Sequence, residues 1–566
     1  MSWFRNIGAC LPASEPLTAA RDAGGIRRLP ARLAALLLAS ALGSSVSAAS
    51  AVLPGEEIYR HGILPSGEAL HAEREGGIHV SGHAAACVNC HRRSGLGMRE
   101  GRRTIPPVAG SYLFHPRAGP ADDLDLPFVE GMRADRDPYT PETLARAIRS
   151  GVGADGKALS YLMPHYALGD EEMAQLIEYL KSLSPGDLPG VTPQVLHFAT
   201  IITPDADPVQ RRGMLDVLEK FFADKNHYTR AESPRLHSSR RMMFKVSRHW
   251  QLHVWQLTGT AETWEQQLRA KLAAEPVFAV LSGIGGTNWL PIHHFCEAQA
   301  LPCLFPNVDV PVVAEEEFDN LYLSQGVVLE ARLIAARLRE NGESSAPRRI
   351  VQVFRTADAG KAGADALAKA LAGTSMTVVN HALDAGAHER ELRAAVRKAG
   401  AGDILVLWLR AEDVARLAAP PPGVDTAFLS GRMAGLERAP LPVSWRAVTH
   451  LTYPFDLPER RRIRVDYALG WFRIRQIPVV AEQVQADTYL ACGLVSDAIN
   501  HMADTFVRDY LVERLEEMLE HRVITGYYPR LALAPGQRFA SKGGYLVHFA
   551  DGVGTGLVAE GGWIVP

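Results

Sequence analysis

Cys87-Val88-Asn89-Cys90-His91 stands early in a chain of 566 residues, and its reading decides how the segment around it folds. Two thiols sit three residues apart, and an imidazole follows directly. Thiols so spaced reach the two vinyl groups of one porphyrin, and the adjacent imidazole then lies under the iron. A zinc site would need a second ligand pair at similar spacing, and none is nearby. A redox dithiol would need a strand–helix setting and would have no use for His91. The motif therefore predicts one covalently bound haem c, anchored by Cys87 and Cys90, with His91 as an axial iron ligand.

Working outward, the flanks resemble the class I cytochrome c family over residues 56–183. Glu57-Ile58-Tyr59-Arg60-His61-Gly62 is similar to that family's N-terminal helix. Pro106 and Pro107 both stand where the family packs a proline loop near the proximal histidine. Met163-Pro164 and the run 171–180 resemble its distal-ligand loop and C-terminal helix, with Leu176, Ile177 and Leu180 on one face. The resemblance implies a small all-α domain over 52–184 and Met163 as the sixth ligand. His83, His165, Met98, Met132 and Met173 compete for that place, His165 most closely, while Met173 reads better as helix core. His61, His71, His79 and His115 read as surface or loop residues. Ligation by His and Met implies a fairly high potential, because a thioether favours reduced iron.

Upstream, Arg27, Arg28 and Arg32 precede an apolar run at 33–42 that is too short to span a bilayer, and Val46-Ser47-Ala48 supplies small residues for cleavage. Residues 1–48 thus read as a signal peptide with a long n-region; an uncleaved anchor is the other reading. No later run is apolar for long enough to cross a membrane, and the expected location is the periplasm. Of the six cysteines, Cys10 falls in this leader. Cys296 and Cys303 are close enough for a small disulfide in an oxidising compartment, or are two buried thiols. Cys492 reads as core.

Downstream, the breaker cluster at 185–190 marks a linker, taken as 185–193. The rhythm then changes. Strand-like runs at 195–202, 253–257, 277–281, 350–354 and 404–408 alternate with helical runs at 210–224, 263–274, 362–371 and 390–399. Such alternation predicts parallel sheets covered by helices, with enough units for two. The fold class is therefore multidomain, an α domain followed by a two-lobed α/β region over 194–566.

That region resembles type I periplasmic solute-binding proteins of the leucine-binding kind. The match lies in the strand and Gly-rich turn at 279–288, the strand at 301–305, the crossing at 321–324 with its helix, and Gln485-Ala486-Asp487-Thr488-Tyr489 leading a long helix. It implies a ligand cleft built by Ser282, Gly283, Gly286, Thr287 and Asp487. Asp205 and Glu482 are further carboxylate candidates, and Tyr453 and Trp289 candidate aromatic walls. A turn of this kind is also an ordinary tight turn. Segments 526–530 and 541–545 read as a β-rich C-terminal closure.

Apolar residues make up 47% of the chain, charged residues 22%, and net charge is −3, which gives no pull toward nucleic acid. No Gly-x-Ser-x-Gly elbow, His-Glu-x-x-His helix or dinucleotide fingerprint appears, so catalysis is not expected. The expected function is electron transfer with a periplasmic dehydrogenase or another cytochrome. The alternative is solute capture or sensing, with the haem coupling redox state to a small-molecule ligand.

Overall fold

The structure, a computed structural model, describes residues 53–100, 103–114, 137–183, 188–231, 248–314, 317–342, 348–502, 506–521, 526–534, 536–550 and 556–566. The signal-peptide reading of 1–48, His115, Met132 and the first part of the expected linker lie outside these residues.

The N-terminal region carries helices α1 (Pro54–His61), α2 (Val88–His91), α3 (Gly110–Leu113), α4 (Pro141–Ser150) and α5 (Asp170–Ser182). Thr140 caps α4 through Thr143, and Pro141 opens its first turn, where a missing N–H costs nothing. α1 buries Ile58 and Tyr59 against α5, with the rings of Tyr59 and Tyr179 5.3 Å apart. The two helices meet at Gly55, where a Cβ would stand 2.2 Å from the Gln175 carbonyl oxygen, so only glycine permits the crossing.

The region is not all-α, which corrects the expectation. Strands β1 (His71–Arg74), β2 (Ile78–Ser81), β3 (Met98–Glu100), β4 (Arg103–Ile105) and β5 (His165–Tyr166) form a three-stranded antiparallel sheet, β2-β1-β5, and a hairpin, β3-β4. Leu70 and Ala72 turn inward with a period of two, and Val80, paired with Ala72, packs on the same core. That alternation is too short to stand out beside the helical runs.

The rest of the chain builds two α/β lobes. The first has β6 (Val195–Ile202), α6 (Pro208–Ala231), β7 (His249–Gln256), α7 (Trp264–Ala274), β8 (Ala279–Leu281), α8 (Leu290–Ala298), β9 (Cys303–Leu304) and β10 (Asn320–Leu321). Its sheet runs β10-β9-β8-β6-β7, all parallel. Crossing helix α9 (Val327–Gly342) leads to β11 (Arg349–Arg355), α10 (Gly360–Ala370), β12 (Thr377–Leu383), α11 (Glu389–Val396) and β13 (Ile404–Trp408). Then come α12 (Ala411–Val414), β14 (Thr426–Leu429), α13 (Gly431–Ala434), α14 (Val443–Arg446) and β15 (Thr449–Tyr453). Three helices follow, α15 (Pro458–Ile474), α16 (Glu482–Met502) and α17 (Arg508–His521), and the chain ends with β16 (Tyr545–Phe549) and β17 (Leu557–Ala559).

The second sheet runs β12-β11-β13-β14-β15-β16-β17. β12 to β15 are parallel, and β16 and β17 add antiparallel at the edge. Ser282 in the first lobe bonds Thr488 on α16, so the chain visits the first lobe, the second, the first and the second again. In the first lobe Phe198 packs against Phe222, Trp250 and Phe278. Each such buried ring contributes about 1.5–3 kcal/mol relative to exposure.

The two regions pack together. Leu53–Pro566 is one compact unit, and Leu96 and Ala109 of the first region are buried in the same core as Phe198 and Phe278. The described part of the expected linker lies against the α/β region. His197 N–H donates to Gly190 O, and Arg508 Nη2 to Pro189 O. Gly190, at φ +86°, approaches the Val277–Phe278 backbone so closely that a Cβ would sit 2.2 Å from it. Among the described residues no helix is long and apolar enough to cross a membrane.

Candidate functional site

α2 is one turn long and displays the thiol–imidazole motif. Cys87 and Cys90 are half-buried and are not joined in a disulfide. Cys87 packs against the apolar core that holds Ile58, Tyr59 and Tyr166; burial pushes its thiol up to about 12, against the opposing pull of a Tyr166 hydrogen bond. His91 is buried, and its Nδ1 lies 2.9 Å from the Pro106 carbonyl oxygen. A carbonyl only accepts, so Nδ1 carries the proton and Nε2 presents its lone pair. Burial lowers the imidazole's pKa and keeps it neutral at pH 7. Of the two candidate prolines, Pro106 is thus the one that orients His91. The chain leaves α2 sharply at Arg92, in the left-handed region at φ 64°, where its carbonyl accepts from Tyr59 Oη at 2.7 Å. Two thiols on one turn beside a neutral, oriented imidazole fit a covalently attached haem.

Met163 is half-buried on the apolar core that holds Cys87 and Val88. His165 is exposed on β5 with its ring over Gly151. Met173 is buried within α5, Met98 lies on β3, and His83 is exposed.

The expected solute residues are placed differently. Ser282 is fully buried: it donates to Thr488 Oγ1 at 2.9 Å and accepts from Asn307 Nδ2 at 3.0 Å. Gly283 lies under Trp289, whose ring a Cβ there would meet at 2.6 Å. These two residues and Trp289 are buried. The N–H groups of Gly286 and Thr287 point at the exposed Asp205 carboxylate, 3.3 Å away in both cases. Asp487 is buried beside Tyr528 Oη at 3.2 Å, with burial raising its carboxyl to about 7 against the pull of Arg432. Its Oδ1 has no hydrogen-bond partner among the described residues. Tyr453 is buried and donates to Glu437, and Glu482 bonds Arg438 and Tyr527. Across the lobes, Asp309 pairs with Arg410 at 2.6 Å. Cys296 and Cys303 are joined in a disulfide with Cα atoms 6.2 Å apart.

Residues 82–184 match the family model described as Cytochrome c. This segment is a cytochrome c domain. No curated protein matches the chain in sequence. Among solved structures the chain is similar to a possible leucine/isoleucine/valine-binding protein from Rhodopirellula baltica SH 1, at 14% identity and TM-score 0.46, covering 66% of this chain and 98% of that one. It is also similar to the branched-chain amino acid transporter substrate-binding protein LivJ of Streptococcus pneumoniae, at 10% identity and TM-score 0.46, covering 66% and 100%. A third is the leucine binding protein LivK of Thermotoga maritima, at 13% identity and TM-score 0.45, covering 66% and 99%.

The cytochrome c domain rests on α17 through the loop that directly follows His91. Arg92 pairs with Glu516 at 3.1 Å, and Glu516 pairs in turn with the buried Arg538 at 2.5 Å. Arg93 pairs with Asp509 at 3.1 Å and stacks 4.5 Å over Phe318. Ser94 donates to Glu513 through N–H at 2.9 Å and Oγ at 2.6 Å. Burial raises the Glu513 carboxyl to about 7, with Arg92 pulling it back. Sequence reasoning missed this interface. The spacing of Asp509, Glu513 and Glu516 marks one acidic face of a helix, yet nothing local names the turn that meets it.

Proposed function

We propose that the chain is an exported electron carrier, a monohaem c-type cytochrome fused to a small-solute-binding-like region. Cys87 and Cys90 would hold the porphyrin through thioether bonds, and His91 and Met163 would ligate its iron. When bound, the haem supplies reversible one-electron chemistry at its iron. The single observation that carries this reading is the His91 Nδ1–Pro106 hydrogen bond, which aims a neutral Nε2 away from the backbone. Met163 is favoured over His165 because it shares the Cys87 core while His165 faces solvent. The partner is a periplasmic dehydrogenase or another cytochrome. A periplasmic location agrees with the Cys296–Cys303 disulfide.

The test uses full-length protein from a host competent in cytochrome maturation. Mass spectrometry is expected to show one haem, and voltammetry one reversible wave at positive potential. Met163→Ala should lower that potential and let ferrous haem bind carbon monoxide. An apoprotein or a missing wave defeats the proposal. Carbon monoxide binding by the unaltered protein at neutral pH would point to catalysis instead.

A second reading is that solute capture and redox state are coupled. Its support is the chain Arg92–Glu516–Arg538, because Arg538 O accepts from Tyr322 N–H where the first lobe gives way to the second. Thermal-shift screening with amino acids, alcohols, aromatic acids and quinones tests capture. A hit should also move the midpoint potential; a hit that leaves it unmoved removes the coupling.

A further inference from the structure

His293 and Glu297 stand one turn apart on α8, and Glu317 comes from the segment leading into β10. Their nearest ligand atoms all lie within 4.8 Å of one another. His293 is 1% exposed, and its Nε2 contacts the Glu317 carboxylate. On the other side of the ring, Nδ1 is 2.7 Å from Tyr322 Oη, and the two rings stack at 13°. That bond fixes the imidazole plane, as the outer partners of metal-bound histidines do. Glu297 is pinned from behind in the same way. Its Oε1 accepts from Asp319 N–H, Asn320 N–H and Asn320 Nδ2 at 2.8 to 3.0 Å. Among the described residues Oε2 accepts only from Phe318 N–H at 3.1 Å, which leaves a lone pair.

The charge is unbalanced. Among the described residues neither Glu297 nor Glu317 has a lysine or arginine ion-pair partner, so two carboxylates and a buried imidazole share one pocket wall. Among the described residues Asn320 Oδ1, in the same turn, is buried without a hydrogen-bond partner, although the residue is only 1% exposed. Buried acceptors left in surplus over donors are costly unless a cation meets them.

We infer that His293, Glu297 and Glu317 bind one divalent transition cation of the zinc class. An imidazole with two carboxylates suits a borderline metal better than calcium or magnesium, which take oxygen alone. Cys296 is tied into its disulfide and supplies no thiolate. The Glu317 side chain is 27% exposed, which leaves a side open for a water ligand. The site adjoins the cytochrome c domain: Phe318, next to Glu317, lies against Arg93 at 4.5 Å and Arg538 at 5.4 Å. Bound metal would stiffen the segment on which that domain rests.

The test titrates Zn2+ into chelator-stripped, full-length, haem-loaded protein by calorimetry, with metal analysis after gel filtration. One Zn2+ per chain is expected beyond the haem iron, together with a rise in melting temperature. Glu317→Gln, at a partly exposed position, should weaken binding at least about 10-fold and abolish the rise. Glu297→Gln should do the same. An unchanged Soret band in both variants shows that they fold and that the haem reading stands apart. No stoichiometric zinc, or zinc held equally by both variants, overturns the inference and leaves His293 as one member of a Tyr322–His293–Glu317 hydrogen-bonded chain.

Discussion

The haem pocket and the interface beneath it lie side by side in space but far apart in the way they are written. The pocket's anchoring groups fall within one turn of helix, Cys87 to His91, and the carbonyl that orients His91 follows 15 residues later. The interface joins Arg92 to Glu516 and Ser94 to Glu513 across 424 and 419 residues. A site whose geometry follows from local spacing announces its chemistry. A site that depends on two distant helices meeting announces only that each helix has a polar face.

The sharpest way to break this comparison is at the pocket. His91→Ala should abolish stable haem incorporation in a maturation-competent host, read as loss of the Soret band. A variant that keeps a normal low-spin spectrum would mean that the motif does not supply the ligand. The next largest effect belongs to the interface. Glu516→Ala leaves the buried Arg538 and the partly buried Arg92 without their shared carboxylate, and should cost about 3–5 kcal/mol in denaturant unfolding. A loss below ~1 kcal/mol, the range of a surface pair, would mean that the two regions are merely adjacent.

A smaller effect reads pH. Glu513 titrates at about 7 when folded, above the ordinary glutamate range. Folding is therefore favoured by this group while it is protonated, and the favour fades as pH rises toward and through 7, because the unfolded chain has already released that proton. Glu513→Gln should flatten the fall in melting temperature between about pH 5 and about pH 8, a difference on the order of a few °C. A parallel shift at every pH would assign the fall to other groups. The smallest effect is expected at the Gly-rich turn: Asp205→Ala removes an exposed acceptor and should change stability by less than about 0.5 kcal/mol.

These contrasts explain what was legible in the sequence. Strands β6 and β13 coincide with the apolar runs at 195–202 and 404–408, because buried parallel strands are apolar on both faces. β12 is largely exposed along one side and lacks that signature. The haem motif was readable because its chemistry needs those residues adjacent. The burial of Ser282 and Gly283 was not legible because a Gly-rich turn after a strand looks alike whether it opens on solvent or is roofed, and Trp289, a few residues on, roofs this one. His293, Glu297 and Glu317 escaped notice because Glu317 reaches the helix only through the turn into β10.

The burial of Leu96 and Ala109 in the core of the neighbouring lobe bears on how this gene can be cut. Severing the polypeptide near residue 188 would strip both side chains of their packing and hand the solvent an acidic stripe on α17 that had been neutralised by arginines. Neither half would then be a faithful miniature of the whole. Recombination that swaps one half for a foreign counterpart would have to carry the matching helix with it.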